Sequence, residues 1–173
     1  MRKLLIVLIV ILSVVALVLA IIAGYIFFAG GSKGTPITLT NPVAGIIDDE
    51  AVEIFDEGFV EYLSYAIGAG ELHNPPFSKD TPEIEFDVGG EIYNVEVVHG
   101  FIDVGVGAIE DEDILITTTK KETVKMLRDK NYIVGSFASG ASEISLVASK
   151  TKLLAKGYLK IYTELTGEEI DAG

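Results

Sequence analysis

The N-terminal part of the chain contains a stretch that is typical of a membrane span. Residues 4–28 are 25 consecutive positions without a charge, and Leu, Ile and Val dominate them. At about 1.5 Å per residue, a helix of this length crosses a hydrocarbon core of about 30 Å. We therefore predict one transmembrane helix over residues 4–28.

The residues at the two ends of this stretch predict its orientation. Arg2 and Lys3 precede it, so the positive-inside rule puts residues 1–3 in the cytoplasm and the remainder outside the cell. A cleaved secretory signal is the alternative, since small residues follow from Ala29. The apolar core of such a signal normally runs about 7–15 residues, so we expect an uncleaved signal-anchor. Three interfacial aromatic residues close the stretch: Tyr25, Phe27 and Phe28.

The rest of the chain is strongly acidic. Residues 29–47 are rich in Gly and Pro and predict a linker, and residues 48–173 are long enough for one domain. Residues 48–113 hold 19 acidic side chains and one Lys, whereas residues 114–173 hold seven acidic and nine basic ones. An acidic surface repels nucleic acid, so we expect no such partner. The asymmetry suits ion pairs either within one fold or between the copies of an oligomer.

The composition excludes some chemistry. With no Cys in the sequence, disulfides, thiolate metal sites and a Cys nucleophile are excluded. The chain also has no Gln and only four Asn, a depletion typical of thermophiles. With the simple apolar anchor, it favours an archaeal membrane protein.

Apolar spacing predicts the elements of the first half of the domain. A three- and four-residue spacing predicts a helix over residues 49–67, with Asp48 as its N-cap. Strict alternation then predicts four strands, with tight turns at Gly89-Gly90 and His99-Gly100. The predicted strands cover residues 83–88, 91–98, 101–106 and 113–118.

Caps and alternation also predict the second half. Thr119 and Glu122 form a capping box that starts a helix to about Lys130. Residues 131–141 suit either a short helix or a loop, residues 142–148 a fifth strand, and residues 150–165 a last helix capped by Ser149. The order α-β-β-β-β-α-β-α predicts an α+β fold, an antiparallel sheet of about five strands covered by helices.

One passage resembles the sterol-carrier-protein-like lipid-transfer family. The resemblance covers roughly residues 83–165 and is carried by Asp113-Ile114-Leu115-Ile116-Thr117-Thr118, Lys121-Glu122, Met126-Leu127, Gly140-Ala141-Ser142-Glu143-Ile144-Ser145-Leu146 and the helix from Thr151. It implies a hydrophobic cavity between sheet and helices that holds a lipid or fatty acyl chain, without universal catalytic residues. The family is mostly soluble and intracellular, whereas this domain is expected outside the membrane.

The helix-on-sheet pattern suggests where such a cavity would be lined. The candidate residues are aromatic or aliphatic positions on the first helix, the third strand and the last helix. They are Phe59, Leu63, Ile67, Phe101, Leu154 and Tyr158.

Other candidate sites are weaker. The acidic run at residues 110–113 has hard oxygen ligands but lacks the alternating carboxylates and turn Gly of a calcium loop. Neither His73 nor His99 has a nucleophile at a recognised spacing, and the glycines of residues 100–107 lack a strand–loop–helix context. One basic stripe along the last helix could meet lipid phosphates: Lys152, Lys156 and Lys160.

Together these patterns predict a non-catalytic, single-pass membrane protein without metal or cofactor. Its outer domain would be a binding module for a lipid or another apolar ligand. The alternative is a structural subunit of a membrane complex or surface assembly, and either role allows homo- or hetero-oligomers.

Overall fold

A computed structural model describes residues 11–18 and 39–168. The two ranges belong to separate compact units of the chain. Residues 11–18 are helical, while the remainder of the predicted span, residues 29–38 of the predicted linker and residues 169–173 lie outside the described ranges. Within those ranges, no helix combines the length and the apolar character that crossing a bilayer requires.

Five strands form the sheet of the domain: β1 (Glu83–Val88), β2 (Glu91–Val98), β3 (Phe101–Val106), β4 (Ile114–Thr118) and β5 (Glu143–Leu146). The first three match the predicted bounds. Gly89 and Gly90, and likewise His99 and Gly100, all have positive φ, as a two-residue turn of type I′ requires. The alternation and the turn residues therefore predicted this part of the sheet correctly.

The sheet is mixed, so the prediction of an antiparallel sheet is wrong. Its strand order is β3-β2-β1-β4-β5, and β1 pairs with β4 in parallel. Residues 107–113 carry the chain from β3 back to the start of β4. This connection crosses the sheet, because Asn94 Nδ2 donates to the Gly107 carbonyl (2.9 Å) and the Ile109 N–H donates to Glu85 Oε2 (3.1 Å).

The two faces of the sheet differ. On β1, Ile84, Phe86 and Val88 are buried and belong to the core shared with the helices. Residues 107–113 cover part of the opposite face, which we call the open face, and none of the five strands carries a Lys or Arg. By the strand register this open face displays six carboxylates: Glu83, Glu85, Asp87, Glu96, Asp103 and Glu143.

The predicted first helix is two helices, α1 (Asp48–Glu53) and α2 (Glu57–Ala66). Asp56 is extended and its side chain accepts a hydrogen bond from the Gly58 N–H, so it starts α2 as an N-cap. The N-cap of α1 is Ile47, without a side-chain hydrogen bond, and not the predicted Asp48. A short 3₁₀ turn follows α2 at Ala69–Glu71.

The segment before α1 packs on the domain, although the sequence assigns it to the linker. Val43 is buried, and Arg128 donates to the carbonyl groups of Val43 and Ile46. Asn41 Nδ2 donates to the Leu127 carbonyl at 2.9 Å. The ordered domain therefore includes residues that precede its first helix.

The remaining helices are α3 (Lys120–Arg128), α4 (Tyr132–Ala138), α5 (Lys150–Lys156) and α6 (Tyr158–Thr166). Thr119 and Ser149 cap α3 and α5 as predicted. The single last helix predicted from sequence is divided at Gly157, whose φ of 91° lies in the left-handed region. Residues 131–141, which the sequence left open, contain the short helix α4.

Candidate functional site

Asp113 and Lys156 form a buried ion pair where the helices meet the sheet. Both side chains are 0% exposed, and Lys156 Nζ lies 2.8 Å from Asp113 Oδ2. Asp113 directly precedes β4 and Lys156 ends α5, so the pair joins the two layers of the domain. A buried ion pair is tolerated where further hydrogen bonds satisfy both partners.

Those further bonds are present. Lys156 Nζ also reaches Asp80 Oδ1 (2.8 Å) and the Thr81 carbonyl oxygen (2.5 Å), so it has three acceptor groups for its three protons. The Asp113 carboxylate also contacts Lys152 Nζ (3.0 Å), the Tyr158 hydroxyl (3.0 Å) and the Glu83 N–H (2.9 Å). We call Asp80, Asp113, Lys152, Lys156 and Tyr158 the ion-pair cluster.

The surroundings shift the pKa values of several members of the cluster. Burial and the charge of Asp113 raise the pKa of Tyr158 far above its usual value. The hydrogen bond from Lys156 holds the pKa of Asp80 below its usual value, although burial opposes this. Burial lowers the pKa of Lys152, but the carboxylates of Asp113 and Asp80 outweigh it and raise that pKa overall. The hydrogen bonds and ion pairs of the cluster join the start of β4 to α5 and α6, so the cluster is a structural connection.

The predicted basic stripe is thus occupied by ion pairs. Lys156 is buried, Lys152 contacts Asp113, and Lys160 pairs with Glu71. These lysines are therefore not a free surface for lipid phosphates. Of the two arrangements left open by the charge asymmetry, ion pairs within one fold do form.

A second polar network connects α3, α4 and the start of β5. Ser142 Oγ lies 2.8 Å from Thr118 Oγ1 and 2.9 Å from Ser136 Oγ, and Ser136 in turn donates to Glu122 Oε2 (3.3 Å). The hydrogen bond that Lys125 donates to Glu122 holds the pKa of Glu122 below its usual value, although burial opposes this. The Glu122 side chain therefore binds forward to α4 instead of closing the capping box with Thr119.

A cavity of about 290 Å³ opens beside β5. Its wall includes the buried hydroxyl-bearing residue Ser142 from the second network. Two acidic residues and no basic ones line it. The lining residues are Phe137, Ala138, Ser142, Glu143, Ile144, Ser145, Thr166 and Glu168.

The six residues predicted to line a lipid cavity do not lie around this opening. Phe101 and Leu154 are 53% and 60% exposed. The other four belong to the packed core: Phe59, Leu63, Ile67 and Tyr158. Their role in binding a ligand stays a prediction.

The other sequence candidates have ordinary positions. His73 and His99 are exposed, and the acidic run at residues 110–113 splits, since Asp113 is buried while its neighbours are not. In the ranges that the structure describes, no group of three or more metal-binding side chains is placed to hold an ion. Gly105 leaves room for the Asn94 amide, because a Cβ there would lie 2.8 Å from Asn94 Oδ1.

Sequence reasoning missed both Asp113 as a buried anion and Lys156 as its partner. The sequence did hold a signal for Lys156. It lies three residues after Leu153 and two before Tyr158, and these two apolar residues, both buried, indicate that Lys156 faces the core. Asp113 directly precedes an apolar strand, where a carboxylate can bond to neighbouring backbone.

Comparison with known proteins yields solved structures only. No protein-family model and no curated protein matches the chain. The apo form of sterol carrier protein 2 from Yarrowia lipolytica is similar over 76% of this chain and 100% of its own, at 14% identity and a TM-score of 0.32. A double mutant of the sec-alkyl sulfatase PisA1 is similar over 50% of this chain, at 12% identity and a TM-score of 0.36. The stereoselective inverting sec-alkylsulfatase Pisa1 from Pseudomonas sp. covers the same share, at 11% identity and a TM-score of 0.30.

These similarities are distant. The chain spans 13% of the length of either sulfatase structure. At such low TM-scores no argument about function rests on them. They do correct one prediction: a chain expected to be non-catalytic has an enzyme among its structural neighbours, so we do not assign it a non-catalytic role.

Proposed function

We propose that this protein is a membrane-anchored binding module, with its N-terminus in the cytoplasm and its α+β domain outside. One observation carries the proposal. Within residues 11–18, the large apolar side chains are 48–63% exposed on every side of the helix. A helix that is apolar on all sides suits a lipid environment. In water its exposed apolar surface would be unfavourable.

The ligand we propose is a lipid or another apolar molecule. The anchor would keep the domain close to lipid, and Phe101 and Leu154 offer apolar surface that is already exposed. A ligand that reaches Phe59, Leu63 or Tyr158 has to displace contacts between helices and sheet, since these residues are buried. Binding would therefore begin at one of these two exposed side chains.

Uptake of a fluorescent fatty acid by the full chain in detergent micelles tests this proposal. We expect saturable binding near one molecule per chain, and weaker binding by the Phe101→Ser variant. Val106→Ser is the matched control, because Val106 lies on the same strand and is 71% exposed. Uptake that does not saturate, or equal loss in the two variants, would contradict a lipid site at Phe101.

A second candidate is a structural subunit of a membrane assembly. The open face of the sheet favours it, because its strands carry six carboxylates and no Lys or Arg, and the exposed ones, Asp103 and Glu143, could meet a cationic partner. Light scattering in mild detergent tests this role. An assembly larger than one chain supports it, and a monomer at native expression levels contradicts it.

A further inference from the structure

The two edges of the sheet differ in how their backbone groups are used. At β3, the Tyr65 hydroxyl accepts a hydrogen bond from the Ile102 N–H (3.1 Å), which points away from β2. At β5, the Val147 N–H donates to the Asp113 carbonyl (3.0 Å). Because an antiparallel ladder alternates, the N–H and C=O groups of Ile144 and Leu146 then point away from β4. Within residues 39–168 no other strand pairs with that edge.

The cavity lies along this same edge. Residues 142–145 form one wall, and the ends of α4 and α6 form the others through Ala138 and Thr166. Successive side chains of a strand point to opposite faces of a sheet. A strand added to β5 would therefore direct the side chain opposite Ile144 towards the helices, where the cavity is.

The electrostatics of the cavity favour a positive charge. Glu143 and Glu168 line it, and no lining residue is basic. The nine-residue helix α6 ends at Thr166, so the negative end of its dipole lies at the wall. The net charge of −13 makes a second copy of the chain a poor partner for this edge.

We propose that the free edge of β5 binds an extended cationic segment of another protein. The segment adds a sixth strand to the sheet and places a Lys or Arg side chain in the cavity, close to Glu168 and the end of α6. Glu143 points to the other face of β5 and adds negative charge to the same edge. This site is separate from the apolar surface around Phe101, which lies on the strand at the other edge. Either site can therefore fail without the other.

Fluorescence anisotropy with two labelled peptides tests the proposal. The first alternates Val and Lys, and the second is the same peptide with methylated backbone nitrogens, which cannot pair with a strand. The full chain is held in nanodiscs of neutral phosphatidylcholine, so that the lipid does not attract the peptides. We expect the first peptide to bind saturably and the methylated one to bind at least about tenfold more weakly.

Charge variants provide the matched control. Glu143→Gln with Glu168→Gln should weaken binding of the Val-Lys peptide about tenfold. Asp103→Asn with Glu110→Gln removes two charges outside the cavity and should leave binding unchanged. All four side chains are exposed, and thermal unfolding of each variant confirms that the fold is retained. Equal weakening by the two pairs, equal binding of the methylated peptide, or no binding at all would overturn the proposal.

Discussion

Lys156 is a charged side chain at 0% exposure, held by partners from two parts of the chain, residues 80–81 and Asp113. Its spacing from Lys152 and Lys160 predicted a solvated stripe, because spacing alone does not tell which side of a helix faces the core. The positions of Leu153 and Tyr158 show that side. Sequence can therefore place Lys156 on the buried face, but not its partner Asp113, 43 residues away.

Replacing Lys156 by Met should lower the free energy of unfolding by about 3 kcal/mol, because Asp113 loses its buried cation and keeps only the partly exposed Lys152 as an ion-pair partner. Denaturant unfolding of the full chain in detergent micelles measures the change. Lys160→Met is the control, since Lys160 pairs with Glu71 at the surface and its loss should matter little. A similar effect of both substitutions would show that the buried pair is not special.

Tyr158 should make the domain sensitive to alkaline pH. The pKa of Tyr158 is raised in the folded state, so the hydroxyl ionises at lower pH in the unfolded chain than in the folded one. The stability that its neutral hydroxyl contributes is therefore complete below about pH 10 and is lost as the pH rises above that value. The Tyr158→Phe variant has no hydroxyl to ionise at this position, so its free energy of unfolding should fall less than that of the parent chain between pH 9 and about pH 11.

Unfolding of Tyr158→Phe and of the parent chain at the two pH values measures the difference. Tyr162→Phe is the control: the hydrogen bond to Glu168 raises the pKa of Tyr162 too, but this side chain is partly exposed, so its loss should change the pH dependence less. Tyr93, whose pKa burial and Glu91 raise to about 12, contributes equally to all three proteins. An equal fall in stability for the parent and the Tyr158→Phe variant would contradict a buried neutral hydroxyl.

At the scale of elements, local pattern was enough for the strands and most helix caps. Gly89-Gly90 and His99-Gly100 mark hairpins on their own, and Thr119 and Ser149 cap the helices that follow them. The parallel pairing of β1 with β4 was not predictable in this way, because it depends on where residues 107–113 lead the chain. Pairing between strands that are far apart in the sequence produces no repeating pattern in the local sequence.

The same reasoning explains the two exposed residues among the predicted cavity lining. Phe101 is out of phase with Ile102, which is buried on the same strand, so alternation already placed Phe101 on the open face. Leu154 was assigned to one continuous apolar face of a single helix. Gly157 ends that helix, and in the separate helix α5 the buried residues are Leu153 and Lys156, while Leu154 is exposed.

Gly157→Ala should therefore destabilise the domain by about 1–2 kcal/mol, since an L-residue at a φ of 91° is strained. A Cβ there would also lie 3.3 Å from His73 Cε1. Gly135→Ala is the matched control: Gly135 lies within α4 and has no atom within 4 Å of its added Cβ, so we expect stabilisation by up to about 1 kcal/mol. Thermal unfolding distinguishes the two, and stabilisation by both would contradict a break at Gly157.

For the whole molecule, the charge and the hydropathy belong to different parts of the chain. Residues 4–28 carry the apolar excess without a charge, and every acidic residue lies at or after Asp48. Within the domain, the basic residues of the second half form ion pairs with acidic residues of the first: Lys120 with Glu91, Arg128 with Asp48, Lys156 with Asp113 and Lys160 with Glu71. Within residues 39–168 no ion pair forms at the carboxylates of the open face, so these charges can interact with solvent or with a partner.

Site-specific labelling in intact cells tests the proposed topology most directly. The chain has no Cys, so one introduced thiol is the only one it carries. With a membrane-impermeant maleimide, a Glu110→Cys variant should be labelled in intact cells, because residue 110 is exposed in the domain. A variant with Cys inserted after Met1 should be labelled only after the membrane is permeabilised. Labelling of Glu110→Cys only after permeabilisation would contradict an outer domain held by an N-terminal anchor.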